Sequence, residues 1–264
     1  MNDFDVIKVD LKDRDTAIIV PIGDVHYGAV EHNNAEFRSF IDMVNNRDDV
    51  YVILVGDLIN NSLRTSVANP FDETVRPDFQ IDYMVDALYP IRKKIIGSVS
   101  GNHEYRTKKT ADIDISRTIM KELGRDDYHR SNVAYLDVQL GRKENEQGKR
   151  KSKVPKQEWI IGVTHGSAGG RVGNSVNKAE DFWYAHSDLD ALIMGHTHKG
   201  SITRPSRLDI REEGVYTEPG VCIVTESWQE YGGYALRYRL SPAEACFPPH
   251  LILNSNFTRI HTFW

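Results

Sequence analysis

Histidine, aspartate and asparagine side chains follow five apolar runs of this sequence, at the points where the runs end. In chain order these residues are Asp24 and His26, Asp57, Asn102 and His103, His165, and His196 and His198. Imidazole nitrogens and carboxylate or amide oxygens suit Mn²⁺, Fe or Zn²⁺ as ligands. Each residue alone has an ordinary interpretation as a turn or hydrogen-bonding residue. The agreement between five run ends favours a metal site.

The number of ligands points to more than one ion. Without His103 the set offers seven donors, too many for one tetrahedral ion. Seven donors fit two ions about 3.5–4 Å apart that share a carboxylate and keep positions open for water and substrate. Asp57 can be shared because its two oxygens carry lone pairs in different directions.

The elements that must position these residues alternate between strand and helix patterns. Buried strands are predicted at residues 16–23 and 50–56, with a helix between them whose apolar stripe starts at Phe37 and whose cap is Asn33 or Asn34. The carboxyl ends of strands in an α/β sheet meet at one edge, which allows residues that are distant in sequence to converge. A glycine beside each run end suits a tight turn and close backbone approach.

Further elements follow the same alternation. The sequence predicts helices that end at Pro90, at Gly124 and near His186, and paired strands joined by the charged loop 142–156. Short β-like runs make up the tail, among them residues 233–240, 250–254 and 257–264. We therefore predict one α/β domain with mixed sheets over residues 1–264, an insertion near 61–78 and a β-rich C-terminal part at 216–264.

Composition narrows the class of protein. The chain has 264 residues, 40% of them hydrophobic, and a net charge of −5, which does not by itself indicate a nucleic-acid binder. The two cysteines, Cys222 and Cys246, lie outside any ligand spacing and favour a reduced, cytoplasmic setting. No apolar stretch has membrane-spanning length and the first residues do not resemble a secretory signal, so we expect no membrane association.

The ordered series GDVH, GDL, GNHE, THG and GHTH resembles the calcineurin-like metallophosphoesterase family. It extends from Gly23 to His198, about two-thirds of the chain, and the ordered set is far more specific than any one piece. The resemblance implies a four-layer α/β/β/α sandwich with two mixed β-sheets and two metal ions at the strand ends. It implies one ion held by Asp24, His26 and His198, a second held by Asn102, His165 and His196, and Asp57 bridging the two.

The same resemblance implies a reaction. Two divalent ions, Mn²⁺ first with Fe or Zn²⁺ as alternatives, would hold a bridging hydroxide that attacks phosphorus. His103 would stay unligated, face the substrate and titrate near physiological pH, which makes it the predicted catalytic residue for the leaving group. The alternative for His103 is a hydrogen-bonding residue that supports the ligands. We expect His196 and His198 to point the same way because side chains two apart on an extended segment share a face.

The substrate is less clearly encoded. Protein phosphatases of this family carry Asp-Arg-Gly shortly after the second motif, and GDLINNS lacks that arginine. Arg106 is predicted to bind the substrate phosphate with Asn102 and His103, the alternative being a surface ion pair. DVHYG is similar to the first motif of DNA-repair nucleases and phosphodiesterases of the family. The loop 142–156 either steers a polyanionic substrate or is a solvated hairpin tip. The aromatic residues of 228–238 either stack on bases or pack in the core of a strand.

These features predict a metal-dependent phosphodiesterase acting on a nucleotide or nucleic acid. The alternative is a phosphomonoesterase acting on small molecules or phosphoprotein. A third possibility, of another class, is a metal-binding module without catalysis. The partner expected in the first two cases is a phosphate ester.

Overall fold

The computed structural model describes residues 3–64, 66, 70–141, 157–166, 172–237 and 247–264. In chain order the elements are β1 (Ile7–Leu11), β2 (Thr16–Ile22), α1 (Asn34–Asn45), β3 (Val50–Leu54), α2 (Pro77–Leu88), β4 (Ile95–Val99), α3 (Asn102–Ala111), α4 (Ile115–Glu122), β5 (His129–Arg130), β6 (Val133–Leu140), β7 (Gln157–Thr164), α5 (Val172–Tyr184), β8 (Ala191–Met194), β9 (Ser201–Thr203), β10 (Ser206–Arg211), β11 (Gly214–Pro219), β12 (Val221–Val224), α6 (Gly233–Arg237), β13 (His250–Asn254) and β14 (His261–Phe263).

The first large sheet has the strand order β14-β13-β2-β3-β4-β5. Strands β2 to β5 run parallel, whereas β13 is antiparallel to both β2 and β14. All five residues of β3 and of β4 are buried, as expected for parallel strands that are covered on both faces. The carboxyl ends of β2, β3 and β4 therefore lie side by side.

The second large sheet has the order β1-β6-β7-β8-β12-β9. It is also mixed: β7, β8 and β12 are parallel, β6 is antiparallel to β7, and β9 is antiparallel to β12. Strands β10 and β11 form a separate antiparallel hairpin. In this sheet β7 and β8 bring their carboxyl ends together at residues 164 and 194.

The two sheets pack face to face, and helices cover their outer faces. Ile19 and Ile53 of the first sheet share one buried cluster with Leu136 and Ile193 of the second. On the other face of the first sheet, residues of β2 and β3 pack against α1, α2 and α4. Helix α5 covers the second sheet through Trp183 and its neighbours. This order of layers confirms the predicted four-layer α/β/β/α sandwich with two mixed sheets.

Some predicted elements differ from the observed ones. Residues 233–237, predicted as part of a strand, form the short helix α6, in keeping with the helix-forming Ala, Leu and Arg they contain. Helix α2, predicted to end at Pro90, ends at Leu88. A 3₁₀ helix, Tyr89–Lys94, carries the chain on through Pro90, because proline near the start of a helix gives up no needed N–H. The charged loop 142–156 lies outside the described residues.

Within the residues that are described, no helix is both long enough and apolar enough to cross a membrane.

Candidate metal centre

The five strand ends predicted to converge do so at the edge where the two sheets meet. Three overlapping groups of side chains have potential ligand atoms within 4.8 Å of one another. The groups are Asp24, His26 and His198; His26, Asp57 and His103; and Asp57, His165 and His196. Asp57 and His26 each belong to two groups, so the site is one continuous cluster and not three separate ones.

Asp57 lies at the centre of the cluster and is almost fully buried. Its Oδ2 is 3.2 Å from Nε2 of His165 and 3.8 Å from Nε2 of His26. Its Oδ1 accepts a hydrogen bond from the backbone N–H of His103 at 2.8 Å. One oxygen therefore faces histidines on both sides while the other is held by the start of α3.

Asp24, His26 and His198 form one side of the cluster. Nε2 of His26 and Nε2 of His198 are 3.0 Å apart, and Oδ1 of Asp24 lies 3.4 Å from His198 Nε2. The other oxygen of Asp24 accepts the backbone N–H of His196 at 2.8 Å. The loop after β2 thereby positions the loop after β8.

His165, Asn102 and His196 form the other side. Nδ1 of His165 lies 2.7 Å from the carbonyl oxygen of Val55, so this nitrogen carries the proton and donates it. In the neutral ring Nε2 then has a lone pair, and it points at Oδ1 of Asn102, 3.0 Å away, and at Oδ2 of Asp57. Nδ1 of His196 approaches the same His165 nitrogen at 3.2 Å.

Such a collection of acceptors fits a cation. Oδ1 of Asp24 is fully buried without a hydrogen-bond donor, and Nε2 of His165 lies 3.0 Å from the acceptor Oδ1 of Asn102. Burial disfavours a charged imidazole, yet the Asp57 carboxylate outweighs it and raises the pKa of His165 to about 10. The negative charge at the centre of the cluster thus favours a positive charge beside it, which a bound metal ion would supply. The donor set suits divalent ions that accept nitrogen and oxygen ligands.

Left-handed backbone is concentrated at these positions. Seven non-glycine residues of the described chain have positive φ, and five of them are predicted ligands: Asp24, His26, Asp57, His196 and His198. Such strain is found where the surrounding structure enforces it, most often at functional sites. The φ values of His196 and His198, 77° and 58°, also correct the expectation that they share a face of an extended segment. They reach different groups of the cluster through successive left-handed turns.

Two glycines allow the loops after β3 and β4 to touch. Gly56 has φ of +84°, and a Cβ there would lie 2.4 Å from the backbone nitrogen of Gly101. A Cβ on Gly101 would lie 2.1 Å from Oδ1 of Asp57. Any side chain at either position would push Asp57 away from the start of α3.

Glu104 joins the same two loops and was not among the predicted site residues. Its buried carboxylate accepts backbone N–H groups from Asp57 and Gly101 through Oε2 and from Leu58 and Ile59 through Oε1. Burial, with the Asp57 carboxylate nearby, raises the pKa of Glu104 to about 7. The signal available in the sequence was the acidic residue directly after Asn102 and His103, in the first turn of a helix.

His103 and Arg106 lie together on one face of α3. Nδ1 of His103 is 2.6 Å from the carbonyl oxygen of Asn60, and Nε2 is 2.8 Å from Nη2 of Arg106. Burial, together with the positive charge of Arg106 and the neighbouring His26, outweighs the effect of Asp57 and lowers the pKa of His103 to about 3. This differs from the expectation that His103 titrates near physiological pH, because the imidazole has little contact with water and a cation beside it.

The segment in place of the Asp-Arg-Gly motif has a structural role. Asn61 is fully buried, and its amide donates to the carbonyl oxygen of His103 at 2.6 Å and to Oγ1 of Thr107 at 2.9 Å. It therefore fixes α3 beneath the cluster and presents no cation to a substrate. Its backbone N–H is held in turn by the buried side chain of Gln80.

The aromatic residues near the C-terminus were predicted either to stack bases or to pack in a core. Trp228 packs edge-on against Phe37 and tilted against Phe40 beneath the first sheet, so it belongs to the core. The segment bends at Gly233 into a helix instead of continuing as a strand. The side chains of Tyr234 and Tyr238 lie outside the described residues.

The model of the calcineurin-like phosphoesterase family matches residues 18–200. The chain belongs to this family. It is accordingly a hydrolase acting on phosphoester bonds, and the family typically binds divalent metal ions. The match spans every strand end of the cluster described above.

Two solved structures resemble the chain in fold. A predicted phosphoesterase of Streptococcus pneumoniae TIGR4 is 12% identical, with 94% of this chain and 97% of that one covered and a TM-score of 0.37. The NAD nucleotidase of Haemophilus influenzae is 10% identical, with 94% of this chain and 49% of that one covered and a TM-score of 0.39. No curated protein matches the sequence.

Proposed function

We propose that this phosphoesterase hydrolyses phosphodiesters of nucleotides or nucleic acid at a centre of two divalent metal ions. One observation carries the proposal: two groups of acceptor atoms lie on either side of a single carboxylate, Asp57. A site for one ion would need only one such group. The shared carboxylate is what a pair of ions about 3.5–4 Å apart requires.

The proposed ligands follow the two sides of the cluster. Asp24, His26 and His198 would hold one ion, Asn102, His165 and His196 would hold the other, and Asp57 would contact both. Mn²⁺ is the proposed metal, with Fe or Zn²⁺ as alternatives, because the donors are oxygen and imidazole nitrogen without thiolate. When bound, such ions lower the pKa of a water molecule and neutralise charge on phosphoryl oxygens.

The chain's own contribution centres on Arg106, His103 and Asn102. We assign Arg106 to the substrate phosphate, since its guanidinium lies at the edge of the cluster and can donate two parallel hydrogen bonds. Moving toward the phosphate takes Arg106 away from Nε2 of His103, and the anionic phosphate takes its place. Both changes raise the pKa of His103 and allow Nε2 to hold the proton that the leaving oxygen needs. Asn102, exposed at the start of α3, contacts substrate as well as metal.

A diester substrate agrees with the charge of the site. A phosphodiester carries one negative charge, which a single guanidinium beside the metal ions can match. The arginine typical of the family's protein phosphatases has no counterpart in residues 56–62, where Asn61 is committed to holding α3. This supports a diesterase over an enzyme acting on phosphoprotein.

The proposal is tested by comparing bis-(p-nitrophenyl) phosphate with p-nitrophenyl phosphate in the presence of Mn²⁺. A higher kcat/KM for the diester supports it, and a higher value for the monoester favours the phosphomonoesterase alternative. Hydrolysis of neither ester would favour the metal-binding module without catalysis. Cyclic nucleotides, single-stranded DNA and duplex DNA then resolve the substrate further.

A further inference from the structure

A cavity of about 660 Å³ opens beside the half of the cluster formed by Asn102 and His165. Both of these residues line it, so a molecule inside the cavity lies next to the proposed metal ligands. The volume falls within the range of about 300–1,000 Å³ that is usual for small-molecule sites. His103 and Arg106 do not line it, so their proposed roles leave this space available.

Two aromatic rings line the cavity from different helices. Tyr105 projects from α3 one turn after Asn102 and is 51% exposed, and Phe182 projects from α5. Phe182 stacks on His186, 4.3 Å between ring centroids and 19° between planes, and this contact fixes the orientation of its ring. The exposed ring of Tyr105 and the oriented, partly buried ring of Phe182 are suited to bind planar groups by stacking.

Near the first sheet the cavity is lined by polar side chains, and hydrogen bonds hold these side chains in place. Ser100 and Ser131 line the cavity and both donate hydrogen bonds to the carboxylate of Asp114, at 3.2 and 3.1 Å. Lys108 donates to the same carboxylate at 3.0 Å and to Ser131 at 2.9 Å. Hydroxyl oxygens fixed in this way present their free lone pairs to a ligand without further ordering.

Asn132, Thr164 and Asp181 add acceptors and donors around the rings. A planar ligand with hydrogen-bonding groups at its edge and apolar faces fits such a lining. Lys178 also lines the cavity, but a sugar, an alkyl chain or a bare phosphate would leave the two rings without a planar partner.

We infer that this cavity binds the nucleobase of the substrate, stacked against Tyr105 and Phe182, on the side of the ion held by Asn102, His165 and His196. The inference rests on the proposed function and narrows its substrate to esters that carry a heteroaromatic base next to the scissile phosphate. The residues proposed to stack on the base therefore belong to α3 and α5, whereas Trp228 is buried in the core.

Two chromogenic diesters with the same leaving group and charge test this subsite. Thymidine 5′-(p-nitrophenyl phosphate) carries a nucleoside where methyl p-nitrophenyl phosphate carries a methyl group. We expect the wild-type kcat/KM to favour the thymidine ester by about tenfold or more, since stacking on an aromatic ring is worth roughly fivefold to a hundredfold per base. Tyr105→Leu and Phe182→Leu should each reduce this preference by about fivefold or more while the methyl ester reacts at the wild-type rate.

Tyr184→Leu is the matched control, because Tyr184 is also on α5 and half exposed but does not line the cavity. It should leave the preference unchanged. Because Phe182 is partly buried, the thermal unfolding of Phe182→Leu is measured first to show that this variant is folded. Tyr105 is exposed, so Tyr105→Leu provides a second variant whose folding does not depend on core packing. A wild-type preference near one, or a preference that both variants retain, would overturn the inference.

A binding measurement that requires no catalysis tests the base subsite independently of the proposed function. Saturation-transfer NMR of thymidine with the metal-free protein should show stronger saturation of the base protons than of the sugar protons, and both leucine variants should abolish it. Hydrolysis of neither chromogenic ester would contradict the proposed function, yet the NMR result would still decide the base subsite. Equal saturation of base and sugar, or none, would rule it out.

Discussion

Arg106 donates a hydrogen bond from Nη2 to Nε2 of His103 across 2.8 Å. Since a guanidinium can only donate, Nε2 must accept, and the proton of the neutral ring lies on Nδ1, directed at the carbonyl oxygen of Asn60. This contact and the burial of the ring keep His103 neutral with a pKa of about 3. In the proposed mechanism His103 acquires a proton on Nε2 when Arg106 turns to the substrate phosphate, which would couple phosphate binding to proton donation.

Replacement of His103 by alanine should separate catalysis from metal binding. We expect His103→Ala to retain its metal ions and to lose about 100-fold in kcat, because the leaving oxygen loses its proton donor. Metal content by elemental analysis and steady-state kinetics are the two measurements. His261→Ala, at an exposed histidine outside the cluster, is the control. Wild-type kcat in His103→Ala would remove this residue from the chemistry.

The shared carboxylate should matter for metal binding itself. Asp57→Asn removes one anionic oxygen from the position between the two groups, so we expect a metal stoichiometry below two and a smaller rise in Tm on adding Mn²⁺. Asp112→Asn is matched in chemistry and in backbone, since Asp112 is also left-handed, with φ of 55°, but lies outside the cluster. Two full equivalents of metal in Asp57→Asn would contradict the bridging role.

The Glu104 carboxylate should stabilise the loop that carries Asp57. Gln has the same shape but only one acceptor oxygen, so Glu104→Gln leaves two of the four backbone N–H groups without their acceptor. We expect a loss of about 3 kcal/mol in the free energy of unfolding and weaker Mn²⁺ binding, because Asp57 follows the displaced loop. Denaturant titrations with and without Mn²⁺ measure both effects. Glu122→Gln, at an exposed residue of α4, should change neither the stability nor the Mn²⁺ binding. Unaltered stability in Glu104→Gln would show that the hydrogen bonds of Glu104 to the two loops are not needed.

Acid sensitivity should depend on Asp114. Burial alone raises the pKa of Asp114, but the nearby His129 ring, with Nε2 3.6 Å away, and hydrogen bonds from the N–H of Arg117 and from Lys108 outweigh it and hold the pKa well below the usual 3.8. A pKa lowered in the folded state stabilises the protein above about pH 4 and ceases to do so as the pH falls further. Asp114→Asn should therefore cost about 1 kcal/mol at pH 7 and flatten the fall in unfolding free energy below pH 4. The exposed Asp86→Asn should leave that profile unchanged, and parallel profiles for Asp114→Asn and wild type would disprove the effect.

Much of the fold and of the site was predictable because it depends on local pattern. The apolar runs that end in a glycine and a polar residue mark the strand ends after β2, β3, β4, β7 and β8, and the rule that such ends converge brings the ligands together. Helix α1 and its cap at Asn33 follow from the apolar spacing and one side-chain acceptor. A single domain over residues 1–264 stays a prediction, supported by the pairing of β13 with β2.

The parts that were missed depend on contacts distant in sequence. Glu104 meets the backbone of Asp57, Leu58 and Ile59 across more than 40 residues. Its position in the first turn of a helix predicts a local cap, but not these distant partners. The left-handed φ at His196 and His198 is enforced by the assembled loops, since neither residue favours it alone. The pKa of His103 depends on burial and on Arg106, which become known only with the fold.

The proposed function requires that two metal ions share Asp57 within this cluster. Crystals grown with Mn²⁺ and measured at the manganese absorption edge test it directly by anomalous scattering. We expect two anomalous peaks about 3.5–4 Å apart, one beside Asp24, His26 and His198 and the other beside Asn102, His165 and His196. A single peak, or peaks located away from Asp57, would contradict it.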